Sequence, residues 1–285
     1  VLIFDMHSEY TRLALKNGNL NLIPTKINPL KLTIQELAIL ADIHPAQAFI
    51  QFRFLRMAHK KAMEDYNAGK ISASEFLNKI CDYLGEFLTN EEYKEKYKDW
   101  KKSILNAKNK VEALPETYKD LLDFSAPRIL DSIKLNHVNV IDLGALDEEA
   151  ADVVVSHTLR EILQARKDYK TKGEGLKFPI FLVLEEAHIL APSGINTLSK
   201  YWIGRIAREG RKFRLRIEFS TQSPEDLNPR ILKTVNTYTL FGLTPLQIRT
   251  LKKFMELPVD KTVLMNLPTR CAVIYSRSNT SIPVS

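Results

Sequence analysis

Hydrophobic and polar positions follow two different periods along this chain, and the change of period divides it. Residues 1–4 are an unbroken apolar run and residues 20–23 a second short strand-like stretch, punctuated by Asn17-Gly18 and Pro24, which reads as strand–turn–strand. From residue 29 to residue 125 the spacing is almost entirely helical. Thr33-Ile34-Gln35-Glu36 and Ser72-Ala73-Ser74-Glu75 have the form of capping boxes and predict helix starts. Residues 45–68 keep helical apolar spacing and stop at Gly69. Residues 91–113 are densely charged, with Tyr93, Tyr97, Trp100 and Ile104 on one helical face. Such a stripe suits stacking on nucleobases, but also the ordinary packing of a single apolar face, which is the expectation here.

Beyond about residue 126 strands and helices alternate. Residues 138–143, 180–184, 215–219, 238–241 and 271–275 read as strands. Residues 147–169, 196–209 and 224–235 read as helices, and Thr244-Pro245-Leu246-Gln247 opens another with proline at its first position. Apolar strands alternating with amphipathic helices imply an α/β fold with a mostly parallel sheet covered on both faces. Residues 1–28 and 126–285 are expected to form that core, with 29–125 inserted as an all-helical subdomain. No internal repeat or low-complexity tract interrupts the pattern.

Composition narrows the class only a little. A hydrophobic content of 45% and a charged content of 26% are those of a folded globular chain. The formal net charge of +7 tilts the expectation towards a polyanionic partner, weakly, because lysines alone can raise it. Cys81 and Cys271 lie far apart and give neither a disulfide framework nor a metal-binding pair, which fits a reducing cytoplasm. No apolar run approaches the roughly 18 residues that span a bilayer. The apolar start lacks the length and basic leader of a signal peptide, so a cytoplasmic location without membrane attachment is expected.

The strongest chemical signal is FPIFLVLEEAHIL: five apolar residues, 180–184, followed at once by Glu185 and Glu186. In open α/β sheets ligands bind beyond the carboxyl ends of the strands. Two acids there can divide the work, one holding a hydrated Mg²⁺ and the other polarising a water for attack on phosphate. This is a Walker B pattern, although acids also stabilise the start of a helix. The next strand ends in Ser220-Thr221-Gln222, where the Gln222 amide can orient water or sense a phosphate, or serve as ordinary turn chemistry before Pro224. Between the two strands Arg205, Arg208, Arg211 and Lys212 surround Gly210, which reads as a helix C-cap. Cations suit a helix C-terminus, and an arginine finger reaching a neighbouring subunit's nucleotide is the functional alternative. Asp5, His7 and Glu9 fall two apart, as metal ligands on a strand would, but the strand is expected to end at Asp5 and the alternation with it.

Taken in order and spacing, VLIFDMHSEY, FLVLEEAH, IAREGRKF and STQSPEDLNPRIL resemble the HerA branch of the HerA–FtsK superfamily, and INPLKLTIQELAIL resembles the start of that family's helical insertion. The resemblance covers essentially the whole chain. It implies a RecA-like P-loop NTPase core within a hexameric, ATP-driven double-stranded DNA translocase of archaea and some bacteria. Such motors act with a NurA-type nuclease in DNA end processing. By this resemblance Asp5 matches the acid at the end of the strand after the P-loop helix, Glu186 the water-activating glutamate, and Glu185 the acid on the Mg²⁺ side. Gln222 matches the polar sensor, and Arg211, with Arg208 as second choice, the arginine acting in trans on ATP.

One departure stands out: no G-x-x-x-x-G-K-S/T occurs, since GEGLKF at 173–178 and GINTLSK at 194–200 lack the spacing and the ending. Without that loop there is no backbone nest or lysine for the phosphates. The chain is therefore expected to be the C-terminal part of a longer motor and to hydrolyse ATP negligibly alone. DNA contacts are expected from the basic stretch carrying Arg166, Lys167, Lys170, Lys172 and Lys177, or from residues 192–200. Two other readings remain: a metal-dependent nuclease using Asp5, His7, Glu9, Glu185, Glu186 and His188, which needs no P-loop, and a non-catalytic assembly scaffold.

Overall fold

The computed structural model describes residues 1–16, 18–277 and 279–284, so Asn17 of the expected Asn17-Gly18 turn lies outside the described residues. In chain order come β1 (Leu2–Asp5), β2 (Asn19–Ile23), α1 (Ile34–Leu40), α2 (Phe49–Asn67), α3 (Phe76–Thr89), α4 (Glu91–Lys94) and α5 (Lys101–Thr117). There follow β3 (His137–Asp142), α6 (Glu148–Lys172), β4 (Ile180–Leu184), α7 (Ala187–Leu190), α8 (Leu198–Glu209) and β5 (Leu215–Phe219). The chain closes with α9 (Pro229–Leu232), β6 (Thr237–Leu240), α10 (Pro245–Leu251), α11 (Lys261–Met265), β7 (Ala272–Ser276) and β8 (Asn279–Val284). These elements fall into two compact units, one of residues 10–158 and one of residues 1–9 with 159–285.

In the unit of residues 10–158, β2 and β3 pair in parallel, with Leu20 opposite Val138 and Leu22 opposite Val140. Buried Asn21 and Asn139 satisfy each other across the pair, Asn21 Nδ2 donating to Asn139 Oδ1 at 2.8 Å. The chain leaves this pair and returns to it at one place: Ile27 N–H donates to Leu121 O at 2.8 Å and Asp123 N–H to Ile27 O at 3.0 Å. Between them lies the helical block. Its α1 starts with the capping box expected from sequence, Thr33 and Glu36 bonding each other's backbone N–H. The apolar face of α3, with Phe76, Ile80, Leu84 and Phe87, is buried in the block.

The aromatic stripe is core, as its packing reading required. Tyr97 is buried, and its ring meets Phe54 edge-on at 4.9 Å, while Trp100 lies 5.9 Å from Phe54. The segment is not one helix, however. It breaks after α4 and resumes at α5, and the break lets Tyr97 and Trp100 both reach Phe54. Lys61 lies 5.0–5.4 Å above the rings of Tyr83, Phe87 and Tyr93, closing the cluster with a cation–π contact.

In the other unit β1, β4 and β5 are consecutive parallel strands, with Phe4 opposite Leu184 and Leu184 opposite Phe219. The parallel arrangement ends there. β6 pairs antiparallel with β7, and β7 with β8, as a separate sheet. Only alternate residues of β6 are buried, Tyr238 and Leu240, which is the pattern of a sheet with one solvated face rather than a doubly covered one. Those residues pack with Ile248, Leu251, Met255, Leu264 and Val273 in their own cluster. The helix expected over 224–235 is reduced to α9. Asn228 precedes Pro229 and so disfavours helix at its own position, and its side chain caps α9 by accepting from Arg230 N–H at 2.9 Å.

Candidate active site

The register of β1 on β4 brings their carboxyl ends side by side, and Asp5 and Glu185 are the first residues past the apolar pairs. Asp5 is fully buried. Its Oδ1 accepts backbone N–H groups of His7 at 3.3 Å and Glu9 at 3.1 Å, so His7 and Glu9 contribute main chain here while their side chains are exposed. Glu185 is buried too, and its Oε2 accepts the Met6 N–H at 2.9 Å. The Glu185 carboxyl also faces Asp5. The Glu185 carboxyl is pushed up to about 7, first by burial and then by the bond to Asp5, against the Met6 N–H, which lowers it.

Glu186 differs in both backbone and side chain. It sits in the left-handed region at φ 45°, ψ 48°, at the sharp turn from β4 into α7. A glutamate held there costs about 1–3 kcal/mol. The turn is fixed by bonds to the next strand: Ser220 N–H donates to Leu184 O and Ala187 N–H to Ser220 O, both at 2.9 Å. Glu186 Oε1 accepts from Gln222 Nε2 at 2.9 Å. Its Oε2 lies 3.0 Å from His188 Nδ1 but without hydrogen-bond geometry, and this buried oxygen has no hydrogen-bond partner. The same His188 nitrogen is 2.9 Å from Thr221 Oγ1. The structure thus brings Glu186, Gln222, His188 and Thr221 together beside the Asp5–Glu185 pair.

Arg208 and Arg211 are exposed, and their side chains make no hydrogen bond or ion pair among the described residues. Gly210 closes α8 without the left-handed conformation expected of a C-cap glycine. At φ −57° it leads into a further turn, and Arg214 takes the left-handed position at φ 56°. The glycine is needed for space, since a Cβ there would lie 3.0 Å from Ile206 and 3.2 Å from Leu215 O.

The basic stretch is helix rather than loop as far as Lys172, the end of α6. Arg166 corrects the expectation of a DNA contact: it is only 2% exposed, and its guanidinium donates to Phe213 O at 2.7 Å and to Leu176 O. Those carbonyls need a donor that reaches both, which one arginine fork supplies. Gly175 permits the tight return, because at φ 96° a Cβ would stand 2.6 Å from Ala165 O. Lys167 and Lys170 lie over the Phe213 ring at 5.3 and 5.4 Å. Lys170, Lys172 and Lys177 remain exposed.

The six residues of the nuclease reading do not converge as metal ligands. Among the described residues the one such group is Asp42, His44 and Glu149, in the other unit. There His44 Nε2 is 3.1 Å from Glu149, and Lys110 Nζ already sits 2.6 Å from Asp42 Oδ2, so the chain's own cations balance those acids. Sequence reasoning missed Thr221 and Gln247. Gln247 Nε2 donates to Gln222 O at 2.6 Å, and only its capping-box position marked it in the sequence.

In backbone the chain is like VirB4 of Thermoanaerobacter pseudethanolicus, with a TM-score of 0.64 at 14% identity, covering 100% of this chain and 80% of that one. It is similarly like the bacterial conjugative coupling protein TrwB, at 0.63 and 11% identity, covering 100% and 78%. The fold is therefore that of the RecA-like P-loop ATPases. Residues 1–162 match the family model described as the central domain of helicase HerA, and the chain belongs to that family. The DNA double-strand break repair helicase HerA of Sulfurisphaera tokodaii is 43% identical over 237 residues, 81% of this chain and 47% of the relative. The protein of that name from Saccharolobus solfataricus is 40% identical over 237 residues, 81% of this chain and 46% of the relative. The chain thus spans about half the length of the curated relatives it matches.

Proposed function

We propose that this chain carries the acid half of an ATP-hydrolysing site in a double-stranded DNA translocase of the HerA type. The observation that carries the reading is Glu186 Oε2, a buried carboxylate oxygen that makes no hydrogen bond although His188 Nδ1 lies 3.0 Å away, held beside an amide by a strained turn. A buried acceptor without a partner is costly and is kept where a reacting group will supply one. That oxygen is assigned to the water that attacks a phosphate.

The residues divide the work as follows. Glu186 Oε2 takes the proton of the attacking water as general base. Gln222, fixed on Oε1, leaves Oε2 as the free basic oxygen and keeps its own carbonyl end for water or phosphate. Asp5 lies against Glu185, and the two acids would hold a hydrated Mg²⁺. Bound Mg²⁺ and ATP supply charge neutralisation and the phosphoryl group. Arg211, with Arg208 as alternate, is exposed and uncommitted, as a residue that reaches the ATP of a neighbouring copy in a homo-hexamer must be.

The wider reading follows the relatives, two of which are named as DNA double-strand break repair helicases. It comprises translocation on double-stranded DNA in end resection, with a NurA-type nuclease as partner. In it residues 29–125 form an inserted helical subdomain, entered and left at the Ile27–Leu121 junction. Lys170, Lys172 and Lys177 are the cations of the basic stretch left to meet DNA phosphates. No described helix is long and apolar enough to cross a membrane. Because this sequence contains no P-loop, residues 1–285 by themselves are expected to turn over ATP negligibly. The test is DNA-stimulated ATP hydrolysis by a protein that carries this chain behind a phosphate-binding loop. Glu186→Gln should abolish turnover and leave ATP binding intact. Retained turnover overturns the assignment.

A further inference from the structure

Gln222 can act on Glu186 only if its own backbone is held still, and the structure shows what holds it. On one side Thr221 is anchored through its hydroxyl, 2.9 Å from His188 Nδ1. On the other, the Gln222 carbonyl accepts the Nε2–H of Gln247 at 2.6 Å, a contact across 25 residues of chain. Gln247 is not free to swing. It is the third residue of α10, and its Oε1 accepts the Thr244 N–H at 2.8 Å while its own N–H donates to Thr244 Oγ1 at 3.3 Å. The amide is used at both ends: oxygen on the helix cap, nitrogen on the carbonyl of Gln222. This orientation is dictated by chemistry, since a backbone N–H needs an acceptor and a carbonyl needs a donor. α10 is itself fixed by Ile248 and Leu251, which are buried with Tyr238, Leu264 and Val273. A continuous line runs from that apolar cluster through Gln247 and Gln222 to Glu186.

We infer that Gln247 is a positioning residue for ATP hydrolysis, clamping the main chain of Gln222 so that its side-chain amide is presented to Glu186. The assignment rests on the proposed reading of Glu186 and Gln222 as site residues. Its role is distinct from helix capping, and a single substitution separates the two. Glutamate at the third position of a helix accepts the cap N–H as well as glutamine does, and its charge is favourable at a helix start. It lacks the N–H donor, so it cannot bond the Gln222 carbonyl.

The experiment is steady-state ATP hydrolysis with saturating DNA, in a protein carrying this chain behind a phosphate-binding loop. Wild type, Gln247→Glu, Gln247→Ala and Glu186→Gln are compared. Gln247→Glu should lower kcat about 5- to 20-fold, the effect of losing one orienting hydrogen bond. It should leave KM for ATP within twofold and the melting temperature unchanged or raised. Gln247→Ala should lose kcat to the same extent and melt earlier as well, because it loses the cap too. A Gln247→Glu protein with kcat within twofold of wild type overturns the inference, as does a loss of kcat that follows melting temperature across the two variants. If Glu186→Gln keeps its turnover, the reading of the site itself fails. If Glu186→Gln is dead and Gln247→Glu is normal, only the role of Gln247 fails.

Discussion

Two buried glutamates, one in each compact unit, explain each other. Glu36, 2% exposed, has its Oε2 on the Thr33 N–H at 2.7 Å and 3.3 Å from His157 Nδ1, and it stands in an ordinary helix. Glu186, 7% exposed, has one oxygen on Gln222, the other without a hydrogen bond, and a left-handed backbone. Both acids bear the cost of leaving water. Glu36 recovers it in bonds that tie a helix start to α6. At Glu186 part of the cost stands uncompensated, and the fold is arranged around it. Burial alone therefore does not separate these two acids; the state of the second oxygen and of the backbone does.

The largest expected effect falls on chemistry. Glu186→Gln should lower turnover about 10²- to 10⁴-fold, the range for removal of a general base, with little change in melting temperature. Calorimetry alongside the kinetic assay checks both halves. A strongly destabilised but active variant would erase the contrast with Glu36. Next comes Arg166→Met, which strands the carbonyls of Leu176 and Phe213. A loss of about 2–4 kcal/mol in denaturant unfolding is expected, for one buried and one part-buried acceptor left unmet. Glu36→Ala should cost about 1–3 kcal/mol through the lost cap and the unbalanced His157, and leave ATP binding and turnover per folded molecule unchanged.

A further effect is a pH dependence. The Glu185 carboxyl holds its proton more tightly in the folded chain, to about pH 7 against an ordinary value of 4.5. Its contribution to stability is complete below the ordinary value and is lost as pH rises towards 7. Glu185→Gln, neutral throughout, should flatten the stability profile between those two pH values. An unchanged slope would show that Glu185 is not the group whose proton is held up to about pH 7.

Much of this was legible in the sequence where one local rule decided the outcome. The apolar run of 180–184 ending in two acids fixes the strand and the direction of its carboxyl end. The capping box at Thr33 and the proline after Thr244 mark helix starts within a residue. Other features depended on partners distant in sequence. Arg166 looked like a free cation because the carbonyls that bury it come from residues 10 and 47 positions away. The antiparallel pairing of β6 with β7 was hidden because short alternating strands carry no mark of direction. Gln247 was visible as a cap and not as a clamp, since its second bond crosses to another loop.

The left-handed turn at Glu186 sets two selective pressures against each other at a single position. Glycine would take φ 45° without strain and would remove a carboxylate that the interior solvates poorly. A screen for heat resistance should therefore enrich Glu186→Gly, about 1 kcal/mol more stable by backbone relief alone, while a screen for DNA-driven ATP turnover discards it. The residue that a stability engineer would replace first is the one the proposed hydrolysis needs.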